Sequence, residues 1–390
     1  MKTTADAVVI GGGVIGCSIA YQLTKKGMKD IVLLEKDAIG YGSSGRSCAL
    51  VRNHYSNRPT TEMAWKALQM LETFDEETGK NCGFVNTGYI ISVPEEKEAG
   101  FEHNLKIAQE VGVETWEITP QEARELHPLL NTEGITRAAY EKRSGYADPH
   151  GLTQSFANLA KRGGCEINQG TKVTRVRHEG GKIRGVDTDK GAVDSPVVID
   201  AAGPWSQGIA EQVGLQLPLH LTRQQIVHFQ ANFDYGNEYP VVKDIALQIY
   251  FRAGGNNIAL CGSGVDNPAP VDPDSYKETA DTDFIEKIAG LLAKRMPRFA
   301  DAGVHHTLAG LYTVTPDWNP ILDRSDEVEG FHYAVGFSGH GFKLSPMVGL
   351  LMAELIADGG FKAMDASPFG LRRFREGKNF SQSYGDCSTA

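Results

Sequence analysis

Apolar and polar positions along the chain fall into two alternating textures. Near the N-terminus, Ala7-Val8-Val9-Ile10 is an unbroken apolar run that predicts a buried strand. Ile15, Ile19 and Leu23 then recur at four-residue spacing and predict a helix over residues 14–26, which Gly27 stops. A second apolar run, Ile31-Val32-Leu33-Leu34, predicts another buried strand and ends at Glu35. The same texture returns at Val197-Val198-Ile199-Asp200-Ala201-Ala202-Gly203 and at residues 331–337, where a strand runs into a helix over 345–357. A long helical pattern covers residues 60–78. From Phe84 the texture changes to a β-like run at 88–93, a helix near 95–111, and a helix opened by the cap chemistry of Thr119-Pro120-Gln121-Glu122. Residues 171–177, 182–187 and 192–193 are separated by glycine turns and predict a β meander. Longer strands at 225–230 and 247–252 and a helix over 281–295 complete the second texture.

The junction after the first strand carries chemistry. Gly11-Gly12-Gly13-Val14-Ile15-Gly16 has the G-x-G-x-x-G spacing, sits between a strand and a helix, and is followed nineteen residues later by Glu35. Gly11 permits the tight turn, Gly13 lets backbone approach a pyrophosphate, and Gly16 lets the helix lie close to the sheet. The helix start offers unpaired N–H groups and a positive dipole end to phosphates. Glu35 can accept hydrogen bonds from a ribose 2′-hydroxyl and would repel a 2′-phosphate. The prediction is an α/β, Rossmann-like dinucleotide-binding domain assembled from discontinuous segments, 1–84, 147–217 and 317–376. An inserted α+β substrate domain with a mostly antiparallel sheet takes 85–146 and 218–316, and the polar residues 377–390 read as a flexible tail.

Composition narrows the classes. The chain of 390 residues is long enough for two domains with buried cores. A formal charge of −10, with acids spread along the chain, argues against nucleic acid as a partner. The six cysteines form no C-x-x-C pair, which argues against a metal or iron–sulfur site and predicts reduced thiols in a cytoplasmic setting. The first strand starts too early for a signal peptide to precede it, and no stretch reaches the ~18 apolar residues of a membrane span.

Further segments carry a resemblance. Gly42-Ser43-Ser44-Gly45-Arg46, Ala147-Asp148-Pro149, Asp200-Ala201-Ala202-Gly203-Pro204-Trp205, Leu311-Tyr312-Thr313-Val314-Thr315-Pro316-Asp317 and Gly336-Phe337-Ser338-Gly339-His340-Gly341-Phe342-Lys343 stand in register with the fingerprint. Over about residues 5–375 the chain resembles the D-amino-acid-oxidase-like FAD superfamily. The similarity is to the branch of sarcosine oxidases, dimethylglycine and sarcosine dehydrogenases, glycine oxidase and proline dehydrogenase β-subunits. The resemblance implies FAD, and oxidation of the C–N bond of a small amino acid, N-methylated ones included, by hydride transfer to the flavin with later hydrolysis of the imine. It places the cofactor against Gly11, Gly13, Val14, Ile15, Gly16, Glu35 and Lys36, and against Ser43, Ser44, Arg46 and Ser47 of the glycine-serine loop. Val173, Ala202, Gly203, Trp205 and Gly310 follow, with Gly339, His340, Gly341, Phe342 and Lys343 at the C-terminal turn.

Arg52 and Lys343 match the carboxylate clamp of sarcosine oxidases: a guanidinium grips a carboxylate through two bonds and an ammonium adds a point charge. Tyr312 matches an active-site tyrosine, and Tyr250 lies on a strand able to point it at the flavin; His54 and Tyr55 read as structural. Some relatives attach flavin through a cysteine or a histidine where this chain has Gly310 and Arg46, so the resemblance implies noncovalent FAD. Monomeric sarcosine oxidase carries an oxygen-activating lysine on a strand that here reads Ile258-Ala259-Leu260-Cys261-Gly262, which favours a dehydrogenase over an oxidase. Oxygen, a quinone or an electron-transfer protein remain as acceptors, and oligomerisation stays open. Three other readings stand beside the leading one: the flavin-carrying subunit of a larger amino-acid dehydrogenase complex, a flavin carrier with a decayed pocket, and an NAD enzyme. The last has no use for the Gly339–Lys343 segment.

Overall fold

The computed structural model describes residues 1–264 and 270–385; Cys387 and the end of the predicted tail lie outside the described residues. The apolar runs assemble into a six-stranded sheet in the order Ile321–Arg324, Phe331–Val335, Val198–Asp200, Ala7–Ile10, Ile31–Leu34, Glu166–Asn168. All neighbours are parallel except the first pair, an antiparallel edge. Ala7–Ile10 and Ile31–Leu34 are apolar throughout and buried because both faces of the sheet are covered there. Ala7 and Val9 pack on the helices Val14–Lys25, Pro149–Arg162 and Gly341–Ala357. Val8 and Ile10 pack on the meander Val173–Glu179, Lys182–Thr188, Gly191–Asp194.

The second unit is an eight-stranded sheet: Gly303–Val314, His220–Gln230, Ile258–Ser263, Ile249–Ala253, Val241–Asp244, Tyr89–Val93, Arg137–Glu141, Thr115–Ile118. Every pair is antiparallel except Val241–Asp244 against Tyr89–Val93. One face packs on the helices Pro120–Leu126, which opens with the expected capping box at Thr119, and Thr282–Arg295. The fold is the expected one, a discontinuous dinucleotide-binding domain with an inserted, mostly antiparallel sheet domain.

Three elements differ from expectation. The helix predicted over 60–78 is two, Arg58–Glu72, capped by the Asn57 side chain at Thr60 N, and Phe74–Thr78. The last long helix begins at Gly341, four residues before its predicted start. Pro346 therefore sits inside the helix, and the Ser345 hydroxyl donates to Phe342 O (2.8 Å) where the proline has no amide to give. The predicted flexible tail is also corrected over its described part. Phe380 N donates to the Asp317 carboxylate, Ser383 N donates to Ser56 Oγ, and Tyr384 is 2% exposed with its hydroxyl 2.7 Å from His54 Nε2. Two aromatic residues in a polar segment supply enough apolar area to dock it.

Candidate active site

The fingerprint turn is built so that no side chain fits. Gly11 has φ +110°, and a Cβ there would meet Ala201 O at 2.4 Å; a Cβ on Gly16 would meet Gly11 O at 2.0 Å. Gly16 therefore packs the helix against the turn and does not line the cavity beyond it, contrary to its expected place beside the cofactor. Glu35 does line it, with its carboxylate already accepting from Gly12 N (2.6 Å) and Asp37 N (2.7 Å). The acid thus braces the turn as well as facing the ligand space. The first helical amide, Val14 N, donates to Ser44 Oγ (3.0 Å), which ties the glycine-serine loop to the helix start.

From this turn a cavity of about 560 Å³, lined mainly by apolar surface, runs between the two units. Gly11, Gly13, Val14, Ile15, Glu35, Lys36, Ser43, Ser44, Arg46, Ser47, Val173, Ala202, Gly203, Trp205, Gly310, Gly339, Gly341 and Phe342 all line it, as expected for cofactor contacts. Two of the basic residues that line it are paired. Lys36 Nζ lies 3.9 Å from the Trp205 ring centroid and bonds Asp274 (2.5 Å), which also accepts from Trp205 Nε1 (2.9 Å). Arg46 pairs with Glu278 (2.5 Å) and stacks on Tyr41. The cavity suits an elongated dinucleotide: a side-chain-free cradle and a helix start at one end, apolar walls along its length. FAD fits these residues.

At the inner end a second chamber of about 40 Å³ opens, sharing Ser47, Cys48, Tyr312, Gly339 and Phe342 with the larger cavity. Arg52, Lys343, Tyr250, Tyr312 and His340 all line it, so the four expected catalytic residues meet here; His340 and Lys343 belong to this chamber and not to the long cavity. Arg52 follows the short strand Leu50–Val51, its guanidinium donates to His54 O, and it lies 4.3 Å above the Tyr55 ring. His340 sits edge-on to Tyr55, which fits a packing role. Lys343 is in the first turn of Gly341–Ala357; burial first, then the charge of Arg52, holds its ammonium well below the ordinary lysine range. Burial raises the Tyr250 and Tyr312 phenols above their ordinary range, so both are neutral hydrogen-bond donors. Arg252, two residues beyond Tyr250, donates to Cys48 O (2.9 Å) and is structural.

Sequence reasoning missed Tyr89, Lys243 and Cys48 as lining residues of this chamber. Tyr89 and Lys243 come from neighbouring strands of the large sheet, and Cys48 Sγ lies 3.6 Å from the Tyr250 hydroxyl. Tyr89 and Lys243 sit in no local motif and are brought together by strand register, while Cys48 directly follows the glycine-serine loop. On the strand where an oxygen-activating lysine was sought, a Cβ at Gly262 would meet the Tyr250 hydroxyl at 2.4 Å, so that position is filled by the tyrosine.

Comparison with known proteins gives the family. Residues 6–355 match the model of the DAO family, described as FAD dependent oxidoreductase. The chain is 30% identical to FAD-dependent oxidoreductase domain-containing protein 1 of Xenopus laevis, over 95% of this chain and 82% of that protein. It is 27% identical to the sarcosine oxidase subunit beta of Rhodobacter capsulatus, over 98% and 91%. Among solved structures, L-proline dehydrogenase from P. horikoshii superposes with a TM-score of 0.90 at 30% identity, covering 97% of this chain and 99% of the other. Some curated relatives are longer: the chain spans 42% of human mitochondrial sarcosine dehydrogenase.

Proposed function

Because the chain belongs to the FAD-dependent oxidoreductase family, we propose that it oxidises the C–N bond of a small amino acid, N-methylated ones included. The observation that carries this reading is the convergence of Arg52, Lys343, Tyr250 and Tyr312 on a small chamber at the inner end of the cofactor cavity. FAD held by the glycine cradle supplies the acceptor for a hydride. The chain's own residues bind and orient. Arg52 and Lys343 take the substrate carboxylate, and its arrival compensates the burial that otherwise disfavours the Lys343 ammonium. The phenols of Tyr250 and Tyr312 donate hydrogen bonds without adding charge. The first turn of Gly341–Ala357 lies where the two cavities join, so its dipole favours negative charge there.

FAD is held noncovalently in this reading, since Gly310 and Arg46 stand where relatives attach it. Acid precipitation should release all flavin to the supernatant; flavin fluorescence staying with the denatured protein band would refute that. An amino-acid panel scored by anaerobic flavin bleaching tests the activity itself, and no bleaching by any member would sink it. We also read the enzyme as a dehydrogenase, because the strand Ile258–Ser263 carries no lysine. Stopped-flow mixing of the reduced enzyme with air checks this against the faster reaction expected with a dye or quinone. A second reading makes the chain one subunit of a multi-subunit amino-acid dehydrogenase. Its support is the near full-length match to a relative described as a subunit. Sedimentation of the protein from its native source distinguishes the two.

A further inference from the structure

We propose that Glu141, which lines neither cavity, is a positioning residue: its carboxylate fixes the segment that carries Arg52 and so sets the grip on a substrate carboxylate. The inference rests on the amino-acid reading above and adds a residue to its clamp. Arg52 enters the chamber from a stretch with little regular structure, just after the two-residue strand Leu50–Val51. Its guanidinium donates to His54 O and lies over the Tyr55 ring, both on the same stretch. Where that stretch sits therefore bears directly on where the guanidinium points.

One length of chain, residues 141–146, holds the stretch on both sides of Arg52. Before it, Leu50 and Val51 pair antiparallel with Tyr146 and Gly145. After it, Asn53 N donates to Glu141 Oε2 (2.9 Å). The same oxygen accepts from the Ser144 hydroxyl (2.5 Å) and from the Asn53 side-chain amide (3.4 Å), which also donates to Ser144 Oγ (3.1 Å). Asn53, Glu141 and Ser144 are all buried. Burial raises the Glu141 carboxyl, and the bonds from Ser144 and Asn53, with the Arg52 charge, oppose that rise. Glu141 ends a strand of the large sheet and stands opposite Tyr89, a wall of the chamber. The sheet that shapes the chamber thus also fixes the clamp. A buried carboxylate is a costly way to satisfy one backbone amide. Gathering three donors on one oxygen locks the segment beside Arg52 in a way that a single looser acceptor would not.

The test titrates the flavin-loaded full chain with acetate, read by flavin absorbance and by calorimetry. Glu141→Ala should bind acetate at least about fivefold more weakly than the parent. KM for an amino acid should rise by a like factor, with kcat and flavin content held. Glu141→Gln keeps an acceptor for the three donors and puts its amide where Oε1 has no hydrogen-bond partner among the described residues. It should return acetate affinity to within about twofold of the parent. Should Glu141→Ala fold poorly, Glu141→Asp draws the acceptor back while keeping the charge, and the same fall is expected. Parental affinity in the Ala or Asp variant, or a Gln variant as weak as Ala, overturns the proposal. Flavin lost in step with acetate affinity would make Glu141 a support of the whole fold and overturn it too. Arg52→Met tells the two readings apart. If it leaves acetate binding untouched, the clamp itself is wrong; a loss there with no change in the Glu141 variants refutes the positioning role alone.

Discussion

The outer cavity is shaped by backbone, the inner chamber by side chains. Around the outer cavity the decisive features are missing atoms: at Gly11 and Gly16 any Cβ would collide with backbone, and the helix start offers amides that every residue has. Around the inner chamber the decisive features are long, buried side chains, Arg52, Lys243 and Lys343, whose charges burial penalises. The outer cavity can therefore hold one large ligand by shape, and the inner chamber can discriminate small ones by charge. The two regions should fail differently when altered.

The sharpest break falls on the backbone side. Gly16→Val forces a side chain into Gly11 O, and Gly11→Ala adds one at a positive φ against Ala201 O. Either change should cost about 1–3 kcal/mol of stability and leave less than about a tenth of the parent flavin content. Flavin absorbance after gel filtration reads this directly, and a full complement in both variants would show that the cradle is not the cofactor site.

Next in size is the charged side. Arg52→Met and Lys343→Met should each keep flavin but lower kcat/KM for an amino acid by about ten- to a hundredfold, the effect of losing a charge-assisted partner worth about 1.5–3 kcal/mol. Loss of flavin together with activity would erase the distinction between the two regions.

The same difference explains what could be read from the chain alone. Gly11 to Gly16, the acid at 35 and the turn at 339–343 are local strings, each meaningful because it sits between a strand and a helix. Arg52 and Lys343 were reachable because they too sit in or beside such strings. Lys243 and Tyr89 were not, since their meeting depends on a parallel pairing between strands about 150 positions apart. The start of the last long helix was hidden in another way: Pro346 lies inside it, with the Ser345 hydroxyl supplying the donor the proline lacks. The tail's docking rests on Phe380 and Tyr384 finding partners in two distant segments, which polar composition conceals.

A smaller effect tests the frame that holds the cradle. Asp200 ends the strand beside the cavity; its carboxylate accepts from Ala202 N and Ser206 Oγ (both 2.9 Å), and its other oxygen lacks a partner. Burial raises this carboxyl to about 7. A raised acid favours the folded state while protonated, so its contribution is complete below the ordinary range near 4 and is lost as pH rises through about 7. Relative to Asp200→Asn, the parent should lose on the order of 1–3 kcal/mol between pH 4 and pH 8. Denaturant midpoints of both proteins at the two pH values check the sign; a parent that gains on the variant as pH rises would contradict it.

The smallest expected effect joins the tail to the charged side. Tyr384 reaches His54 through a 2.7 Å hydrogen bond and a stacked ring, and the His54 carbonyl accepts from Arg52. Burial, followed by the charge of Arg52, holds His54 down at about 3, so it stays neutral and its ring can only exchange hydrogen bonds. Tyr384→Phe keeps the packing and removes the hydroxyl, leaving His54 Nε2 without that partner at a cost of about 0.5–1.5 kcal/mol. If the tail positions Arg52, KM should rise by about two- to tenfold with kcat and flavin content held, because the clamp is loosened while the cradle is untouched. A purely structural tail would lower the melting temperature and leave KM where it was. Tyr384→Trp, which keeps a ring and an N–H donor, should recover part of the lost KM if the hydrogen bond is what matters. Unchanged KM in Tyr384→Phe would confine the tail to stability.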